Sequence, residues 1–335
     1  MRLTVDDFVG VAGIVPTPAT DDAGQWNAHQ TVAYDETRKM IDLVVDAGVD
    51  ILMTTGTFGE CATLTWPELR GFVECVAQTA ARRVPVFAGV TTLNTRDTIE
   101  RARELLRVGA DGLFVGRPMW LALDDAGIVR YYRDIAQALP RVPLVVYDNH
   151  IAFKGKISAE AYLELARIPE IIATKHMGGA ALESDMLAVG RSMRVLPLAP
   201  EWGPIAERHP ELARACWSGG VACAPAALVA VARAVAARNW PQVREITEKL
   251  RWAEAPMFPG GDLTRFMDYS IQIGHVRFKA AGLIDPGPPR PPYLEVPAEY
   301  VPGAEECGRR WAQLQEEFGT GSGPVSPSRS PATGA

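Results

Sequence analysis

The stretch Ile171-Ile172-Ala173-Thr174-Lys175-His176-Met177-Gly178 is a short apolar, β-branched run that carries one lysine. Its composition predicts a buried strand, in which a hydrophobic residue is expected at every position. An ammonium group is costly to bury unless it is paired or neutralised. Lys175 therefore either extends to solvent from the strand end, or has a pKa lowered toward neutrality and a free amine that can attack a carbonyl.

Similar apolar runs recur along the chain, separated by helical patterns, at intervals of roughly 20 to 35 residues. This spacing is typical of repeated βα units whose strands pair in parallel. Eight strands are predicted, at residues 13–16, 50–54, 84–90, 112–116, 144–147, 171–175, 194–198 and 220–224. Eight such units close an α/β TIM barrel, the fold class that we predict.

Helices are predicted between the strands from apolar residues spaced three and four apart. The barrel helices include residues 29–47, 66–81, 95–108, 126–138 and 158–166, and later helices cover 226–238, 240–253, 262–281 and 304–317. Thr65 and Asn94 stand at helix starts as capping residues. The predicted organisation is a barrel over 8–226, C-terminal helices packed on it over 227–318, and a disordered Gly, Ser and Pro tail over 319–335.

Composition excludes several classes of protein. The 335 residues are 47% hydrophobic, and the net charge of −6 comes without a basic stripe, so nucleic acid and anionic membranes are improbable partners. The five cysteines form no CxxC pair and are odd in number, which favours reduced thiols over disulfides or zinc. Acidic residues near the N-terminus and the lack of a long apolar run predict a soluble cytoplasmic protein.

Further candidate residues follow the predicted strands. Tyr147 ends the strand at 144–147 and can carry a proton, although a tyrosine there is more often a packing residue. Thr57 lies in the Gly-rich turn after the second strand, where backbone N–H groups can hold an anion. Trp120 follows the fourth strand. Because active sites of TIM barrels form at the carboxyl ends of the strands, these residues and Lys175 are predicted to share one rim.

Together these motifs resemble the dihydrodipicolinate synthase and N-acetylneuraminate lyase superfamily of class I pyruvate aldolases, over about residues 8 to 318. Within it the chain is similar to the hydratase-aldolases of bacterial aromatic degradation, which cleave benzylidenepyruvates to an aromatic aldehyde and pyruvate. The likeness to the superfamily rests on Ile14-Val15-Pro16-Thr17-Pro18, Gly56-Thr57-Phe58-Gly59-Glu60, Tyr147 on its strand and Lys175 followed by Gly178. The likeness to the hydratase-aldolases rests on Thr57-Phe58-Gly59-Glu60-Cys61-Ala62-Thr63, Pro118-Met119-Trp120, Trp217-Ser218 and Arg290-Pro291-Pro292-Tyr293. Phe58 replaces a second hydroxyl residue that is frequent in the superfamily, which agrees with an apolar aromatic substrate.

The resemblance implies a carbon–carbon lyase that forms a Schiff base through Lys175 and needs no metal or other cofactor. Tyr147 and Thr57 would complete the catalytic set, with the Gly56–Gly59 turn holding the pyruvyl carboxylate. Asn149 would orient water or the hydroxyl group, and Trp120 and Trp217 would wall the aromatic ring, although both tryptophans could simply be packing residues. The resemblance also implies a homotetramer in the degradation of polycyclic aromatic hydrocarbons. The substrate-binding residues predicted in this way are Gly56, Phe58, Gly59, Trp120, Asn149, Trp217 and Arg117.

The ring substituent depends on Arg117, which precedes Pro118 on the same predicted rim. Its guanidinium could bind an ortho carboxylate of the ring, which favours trans-2'-carboxybenzalpyruvate over trans-o-hydroxybenzylidenepyruvate. Arg117 could equally pair with an acidic neighbour or another subunit. His150 could be either a residue that contacts the ring or a solvated loop residue.

Two readings from other classes compete with the aldolase. A metal-dependent lyase could use Glu60, Asp148 and His176 as ligands, but the sequence lacks tight ligand spacing. An inactive barrel could serve as a sensor, since a fold does not determine a function. Chelator resistance and a pyruvate-release assay distinguish these readings.

Overall fold

The computed structural model describes residues 3–319. Its eight strands are β1 (Gly10–Ile14), β2 (Ile51–Met53), β3 (Val86–Gly89), β4 (Gly112–Gly116), β5 (Leu144–Tyr147), β6 (Ile171–Lys175), β7 (Arg194–Leu196) and β8 (Ala215–Ser218). They form one sheet in the order β7-β6-β5-β4-β3-β2-β1-β8, with parallel neighbours throughout. A parallel bridge between Leu198 and Trp217 brings the β7 edge to β8. The predicted TIM barrel is confirmed.

The α-helices between and after the strands are α1 (Tyr34–Asp46), α2 (Trp66–Ala80), α3 (Thr95–Arg107), α4 (Asp125–Ala138), α5 (Ala159–Leu165), α6 (Leu182–Val189), α7 (Ala199–Arg208), α8 (Pro225–Ala236), α9 (Trp240–Glu254), α10 (Leu263–Asp268), α11 (Ser270–Ala281) and α12 (Val301–Gly319). Both predicted caps are present. Thr65 and Glu68 form a capping box at the start of α2, and the Asn94 side chain accepts from Asp97 N at the start of α3 (3.0 Å).

Two apolar cores hold the barrel. The inner core fills the barrel with side chains such as Phe87, Phe114 and Leu196. The outer core lies between the strands and the helix ring and is much larger. Because a parallel sheet covered by helices is buried on both faces, its strands are continuous apolar runs, and this is why the sequence shows them so clearly.

The predicted eighth strand was wrong. Residues 215–218 form β8 and pair with β1, whereas residues 220–224 form a turn in which the N–H groups of Cys223 and Ala224 donate to Gly220 O (2.9 and 3.0 Å). The turn is apolar because it is buried beneath the helices: a Cβ on Gly220 would lie 2.8 Å from the Trp311 ring. A short apolar run cannot be assigned to a strand by periodicity alone.

Two predicted helices also differ from the structure. Residues 29–33 are extended, since Ala33 N donates to Pro18 O (2.9 Å) and Val32 bridges Ala19, so the first helix begins later. The predicted helix 262–281 is two helices, because Tyr269 with φ −128° interrupts it between α10 and α11.

The predicted division into domains stays a prediction, and α8 spans its boundary at residue 226. Of the predicted disordered tail, Gly319 is the last residue of α12 and the remainder lies outside the described residues. Within residues 3–319, every helix is too short or too polar to cross a membrane.

Candidate active site

Lys175 and Tyr147 are neighbours at the carboxyl-end rim of the barrel. Each is the last residue of its strand, and they are paired in the register between β5 and β6. Both line a cavity of about 290 Å³, together with Thr57, Asn149 and Trp217. With Phe58, which also lines it, the structure therefore brings six residues predicted from the sequence to one cavity.

The amine of Lys175 is enclosed by aromatic rings. The residue is 3% exposed, so the alternative in which it extends to solvent is excluded. Its Nζ lies 3.7 Å from the centre of the Trp217 ring and 4.9 Å from that of Tyr147, with Met177 Sδ at 3.5 Å. The indole is held in place because its Nε1 donates to His176 O (2.8 Å).

Lys175 makes no ion pair with any residue of the described range. Burial lowers its pKa from 10.5 to about 7, and the charge of Asp148 opposes that shift only in part. A substantial fraction of the amine is therefore neutral near pH 7 and is able to act as a nucleophile.

A hydroxyl pair stands next to the amine. Thr57 Oγ1 and Tyr147 Oη are 2.6 Å apart. Burial raises the pKa of Tyr147, and hydrogen bonds with Thr57 and Asn149 only partly offset this effect. The phenol is therefore protonated at neutral pH and can donate or relay a proton. Its ring stacks on Phe114 at a centroid distance of 4.4 Å, which fixes its orientation.

The turn after β2 places Thr57 at the rim. Thr55 and Glu60 have positive φ values of 45° and 53°, and a Cβ on Gly59 would lie 2.6 Å from Thr55 N, so only glycine fits there. Phe58 lines the cavity, whereas Gly56 and Gly59 shape the turn without lining it. Glu60 holds the turn from behind through Arg290 and His275.

Arg117, Trp120 and His150 are not brought to the cavity. Arg117 is 2% exposed and donates to Asp148 Oδ1 (3.0 Å) and Gly155 O (2.7 Å). Of the alternatives given for Arg117, the structure therefore shows pairing with an acidic neighbour. Trp120 is 75% exposed and lies with Leu121 along a separate surface groove. His150 is half-buried.

The C-terminal segment forms a wall of the cavity that the sequence did not predict. Glu254 ends α9, and the residues after it turn through two short 3-10 helices before α10. Glu201 joins from the first turn of α7. The only available signal was two apolar residues, Met257 and Phe258, placed in a Pro- and Gly-rich turn where solvent exposure would be expected. The wall residues from this segment are Glu254, Met257, Phe258, Gly261, Leu263, Phe266, Met267 and Ser270.

The three residues of the metal reading are separated into different pairs. Glu60 pairs with Arg290, Asp148 with Arg117, and His176 with Asp185 (3.1 Å). Among residues 3–319 there is no group of three or more His, Cys, Asp or Glu side chains positioned to hold a metal ion.

The chain as a whole is similar to several known proteins. The model of the "Dihydrodipicolinate synthetase family" matches residues 12–194. The chain is 49% identical to "Trans-2'-carboxybenzalpyruvate hydratase-aldolase" of Nocardioides sp. (strain KP7), over 94% of this chain and 96% of that protein. It is 39% identical to "Trans-O-hydroxybenzylidenepyruvate hydratase-aldolase" of Pseudomonas putida, over 95% and 97%. The solved structure "PhdJ bound to substrate intermediate" superposes with a TM-score of 0.93 at 52% identity, covering 95% of this chain and 99% of that one.

Proposed function

Because the chain belongs to the dihydrodipicolinate synthetase family, whose aldolases act through a Schiff base, we propose that it is a hydratase-aldolase for a substituted benzylidenepyruvate. The family resemblance stated from the sequence is confirmed, and the protein is a carbon–carbon lyase. The substrate proposed is trans-2'-carboxybenzalpyruvate, with 2-carboxybenzaldehyde and pyruvate as products. Support for this substrate comes from the higher identity to the enzyme named for it, 49% against 39%.

The observation that carries the proposal is the neutral amine of Lys175 in an aromatic enclosure. A class I aldolase needs an uncharged lysine to attack the keto group, and here burial supplies it. The cavity is lined mostly by apolar side chains; its polar residues are Lys175, Tyr147, Thr57 and Asn149 near the reacting amine, with Glu201, Glu254 and Ser270 elsewhere in the lining. This distribution suits a 2-oxo acid at one end and an aromatic ring at the other.

The proposed reaction begins with condensation of Lys175 and the keto group, which releases water and forms an iminium. The iminium withdraws electrons through the conjugated double bond, so the benzylic carbon becomes electrophilic and water adds there. The bond between the benzylic carbon and its neighbour then breaks as the benzylic hydroxyl loses its proton. The electron pair passes to the iminium and forms an enamine, which is protonated and hydrolysed to pyruvate.

Each remaining residue has a proposed role. Tyr147 receives the benzylic hydroxyl proton while its own proton moves along the 2.6 Å hydrogen bond to Thr57, and the Thr57 hydroxyl releases its proton to solvent in the cavity. Thr57 and the backbone amides of its turn hold the pyruvyl carboxylate, and Asn149 orients the water or hydroxyl. Trp217 stacks near the substrate because its indole already covers the amine. Trp120 as a ring contact and the homotetramer stay predictions.

Arg117 is not proposed to bind the ring carboxylate, because its guanidinium is directed to Asp148 and Gly155. Removing it would leave the buried Asp148 carboxylate without its ion-pair partner, which disturbs the site whatever the substrate. Arg117→Ala is therefore expected to lower turnover of the carboxylated and hydroxylated substrates by similar factors.

The test is turnover of both benzylidenepyruvates by the wild-type protein, with pyruvate and aldehyde measured separately and with chelator added in parallel. We expect equimolar products, no effect of chelator, and a higher kcat/KM for the carboxylated substrate. Absence of aldehyde from both substrates would contradict the proposed function. A preference for the hydroxylated substrate would contradict only the assignment of the ring substituent.

A further inference from the structure

Glu254 is a buried carboxyl group that has no hydrogen-bond or ion-pair partner among residues 3–319. It is the last residue of α9, is 9% exposed, and lines the cavity that contains Lys175. Its carboxyl oxygens make no hydrogen bond and no ion pair with any residue between 3 and 319. Buried carboxyl groups are ordinarily paired or hydrogen-bonded, so an unpaired one beside a reactive lysine calls for a functional explanation.

The charges around Glu254 keep its proton exchangeable. Burial raises its pKa from 4.5 to about 7; Arg277 opposes this shift and Glu201 adds to it. Arg277 itself donates to Gly219 O (2.7 Å) and packs on the Phe58 ring. Near neutral pH Glu254 is therefore present in both forms, and it can take up a proton and return it.

The topology places Glu254 on the side of Lys175 away from the hydroxyl pair. In the sheet β6 lies between β5 and β7, so Tyr147 stands on one side of Lys175 and Glu201, which follows β7, on the other. Glu254 is close enough to Glu201 for their charges to interact. With the keto acid end held at Lys175 and Thr57, the benzylic carbon extends into the rest of the cavity, where Glu201 and Glu254 are the ionisable groups among the described lining residues.

We propose that Glu254 is the acid–base residue of the hydration step. This inference rests on the proposed hydratase-aldolase function and adds a catalytic residue to it. Glu201 lines the same cavity and its buried Oε2 has no hydrogen-bond partner within residues 3–319, but it is less suited to this role because its Oε1 accepts a hydrogen bond from Gly179 N (3.3 Å). Tyr147 is less suited too, since its hydrogen bond to Thr57 serves the cleavage step proposed above and it lies on the opposite side of Lys175 from Glu201.

The hydration step then balances within the site. The Glu254 carboxylate takes one proton from water as the water oxygen forms a bond to the benzylic carbon. The π electrons of the carbon–carbon double bond move toward the iminium, which becomes an enamine. Glu254 then returns its proton to the carbon between the benzylic carbon and the former iminium carbon, which restores both the carboxylate and the iminium.

The test compares two substrates that differ only by this step, 2'-carboxybenzalpyruvate and its hydrated aldol, 4-(2-carboxyphenyl)-4-hydroxy-2-oxobutanoate. Glu254→Gln keeps the size of the side chain but removes its base. We expect aldehyde formation from the unsaturated substrate to fall at least about 100-fold more than formation from the hydrated one. Glu248→Gln is the matched control, because Glu248 lies on the same helix, is 70% exposed, and should keep the wild-type ratio.

Equal losses on both substrates, or no loss on either, would overturn the role of Glu254. Borohydride reduction with pyruvate checks that the variant still forms its adduct and is folded. If Glu254→Gln does not fold, Glu254→Asp is the second variant, because it retains a carboxyl group on a shorter side chain. Its ratio of aldehyde formation from the unsaturated substrate to that from the hydrated substrate is expected to lie below the wild-type ratio but above zero. A wild-type ratio in Glu254→Asp would overturn the role. If the wild-type protein releases aldehyde from neither substrate, the proposed function itself fails.

Discussion

Two buried charged regions lie close together and behave differently. In the first, Glu60 accepts from Arg290 Nη1 (2.5 Å) and Arg290 N (3.2 Å) and bonds His275 Nε2 at 2.9 Å. Burial raises the pKa of Glu60, but His275 and Arg290 outweigh it and the pKa is lowered. In the second, Lys175 meets ring faces, and Glu254 makes no hydrogen bond or ion pair within the described part of the chain.

The buried charges of the Glu60 region are paired and stabilise the fold, whereas those of Lys175 and Glu254 are available to react. Arg290 connects the Glu60 turn to the strand-like segment at Thr31, through Thr31 Oγ1 (2.7 Å) and Thr31 O (2.8 Å). The guanidinium of Arg290 therefore has a structural role. Lys175 makes no ion pair with residues 3–319, and the charge of Asp148 only partly opposes the effect of burial, so the ammonium loses its proton readily, as Schiff-base formation requires.

The largest effect is expected from Lys175→Met, which removes the nucleophile. Aldehyde release should fall by more than about 10³-fold. The free energy of unfolding, in contrast, should increase in this variant. With a pKa of about 7 in place of 10.5, the folded state binds fewer protons than the unfolded chain between these values, so the lysine costs stability increasingly as pH falls toward 7.

The Lys175→Met variant should therefore unfold with a higher free energy than the wild type at pH 7, by roughly 2 to 4 kcal/mol. The gain should shrink as pH rises from 7 toward 10.5. Urea unfolding at several pH values measures it. A loss of stability at pH 7 would mean that the amine is paired, and would contradict the contrast drawn between Lys175 and the Glu60 region.

The next effect concerns the paired region. Arg290→Met leaves the buried Glu60 carboxylate without its guanidinium partner, and should lower the free energy of unfolding by about 3–5 kcal/mol. Urea unfolding measures the loss, and the double variant with Glu60→Gln should recover part of it. If Arg290→Met unfolded like the wild type, the Glu60 cluster would not be the structural anchor described above.

A smaller loss is expected when the proton relay is removed. Tyr147→Phe keeps the ring that stacks on Phe114 but lacks the hydroxyl bonded to Thr57. Aldehyde release should fall by about 10²-fold, while the reduced pyruvate adduct still forms. Steady-state rates and adduct mass measure the two effects separately. Wild-type cleavage in this variant would remove Tyr147 from the mechanism.

The smallest effect is a shift of the pH profile. Activity should rise through about pH 7 as Lys175 loses its proton. Asp148 raises the pKa of Lys175, and Asp148→Asn also frees the positive charge of Arg117 nearby. Both changes disfavour the ammonium, so the acid limb of kcat/KM should move to lower pH by about one unit. A shift to higher pH would contradict this sign.

The sequence predicted the barrel and the centre of its site because both follow short-range patterns. Apolar runs at regular intervals specify parallel strands, and the rule that sites form at strand ends then joins Lys175 with Tyr147, which are 28 residues apart in the numbering. β8 was misplaced because the buried turn after it is as apolar as a strand. Periodicity carries no information on which of two adjacent apolar runs pairs with β1.

The outer wall of the site could not be predicted for a different reason. Glu254 and Phe266 come from helices beyond the eighth βα unit, and their approach to Lys175 is set by helix packing rather than by strand ends. The partner of Arg117 was equally hidden, since Asp148 stands on another strand end and nothing local marks the pair. Trp120 follows β4 as predicted, but its loop directs it to the surface of this chain.

The proposed function depends most on the nucleophilic amine of Lys175 at the end of β6. The direct measurement is borohydride reduction in the presence of pyruvate, followed by peptide mapping and mass spectrometry. We expect one reduced pyruvate on the peptide that contains Lys175, and none on the Lys175→Met variant. An adduct on any other lysine, or the same adduct in the variant, would contradict it.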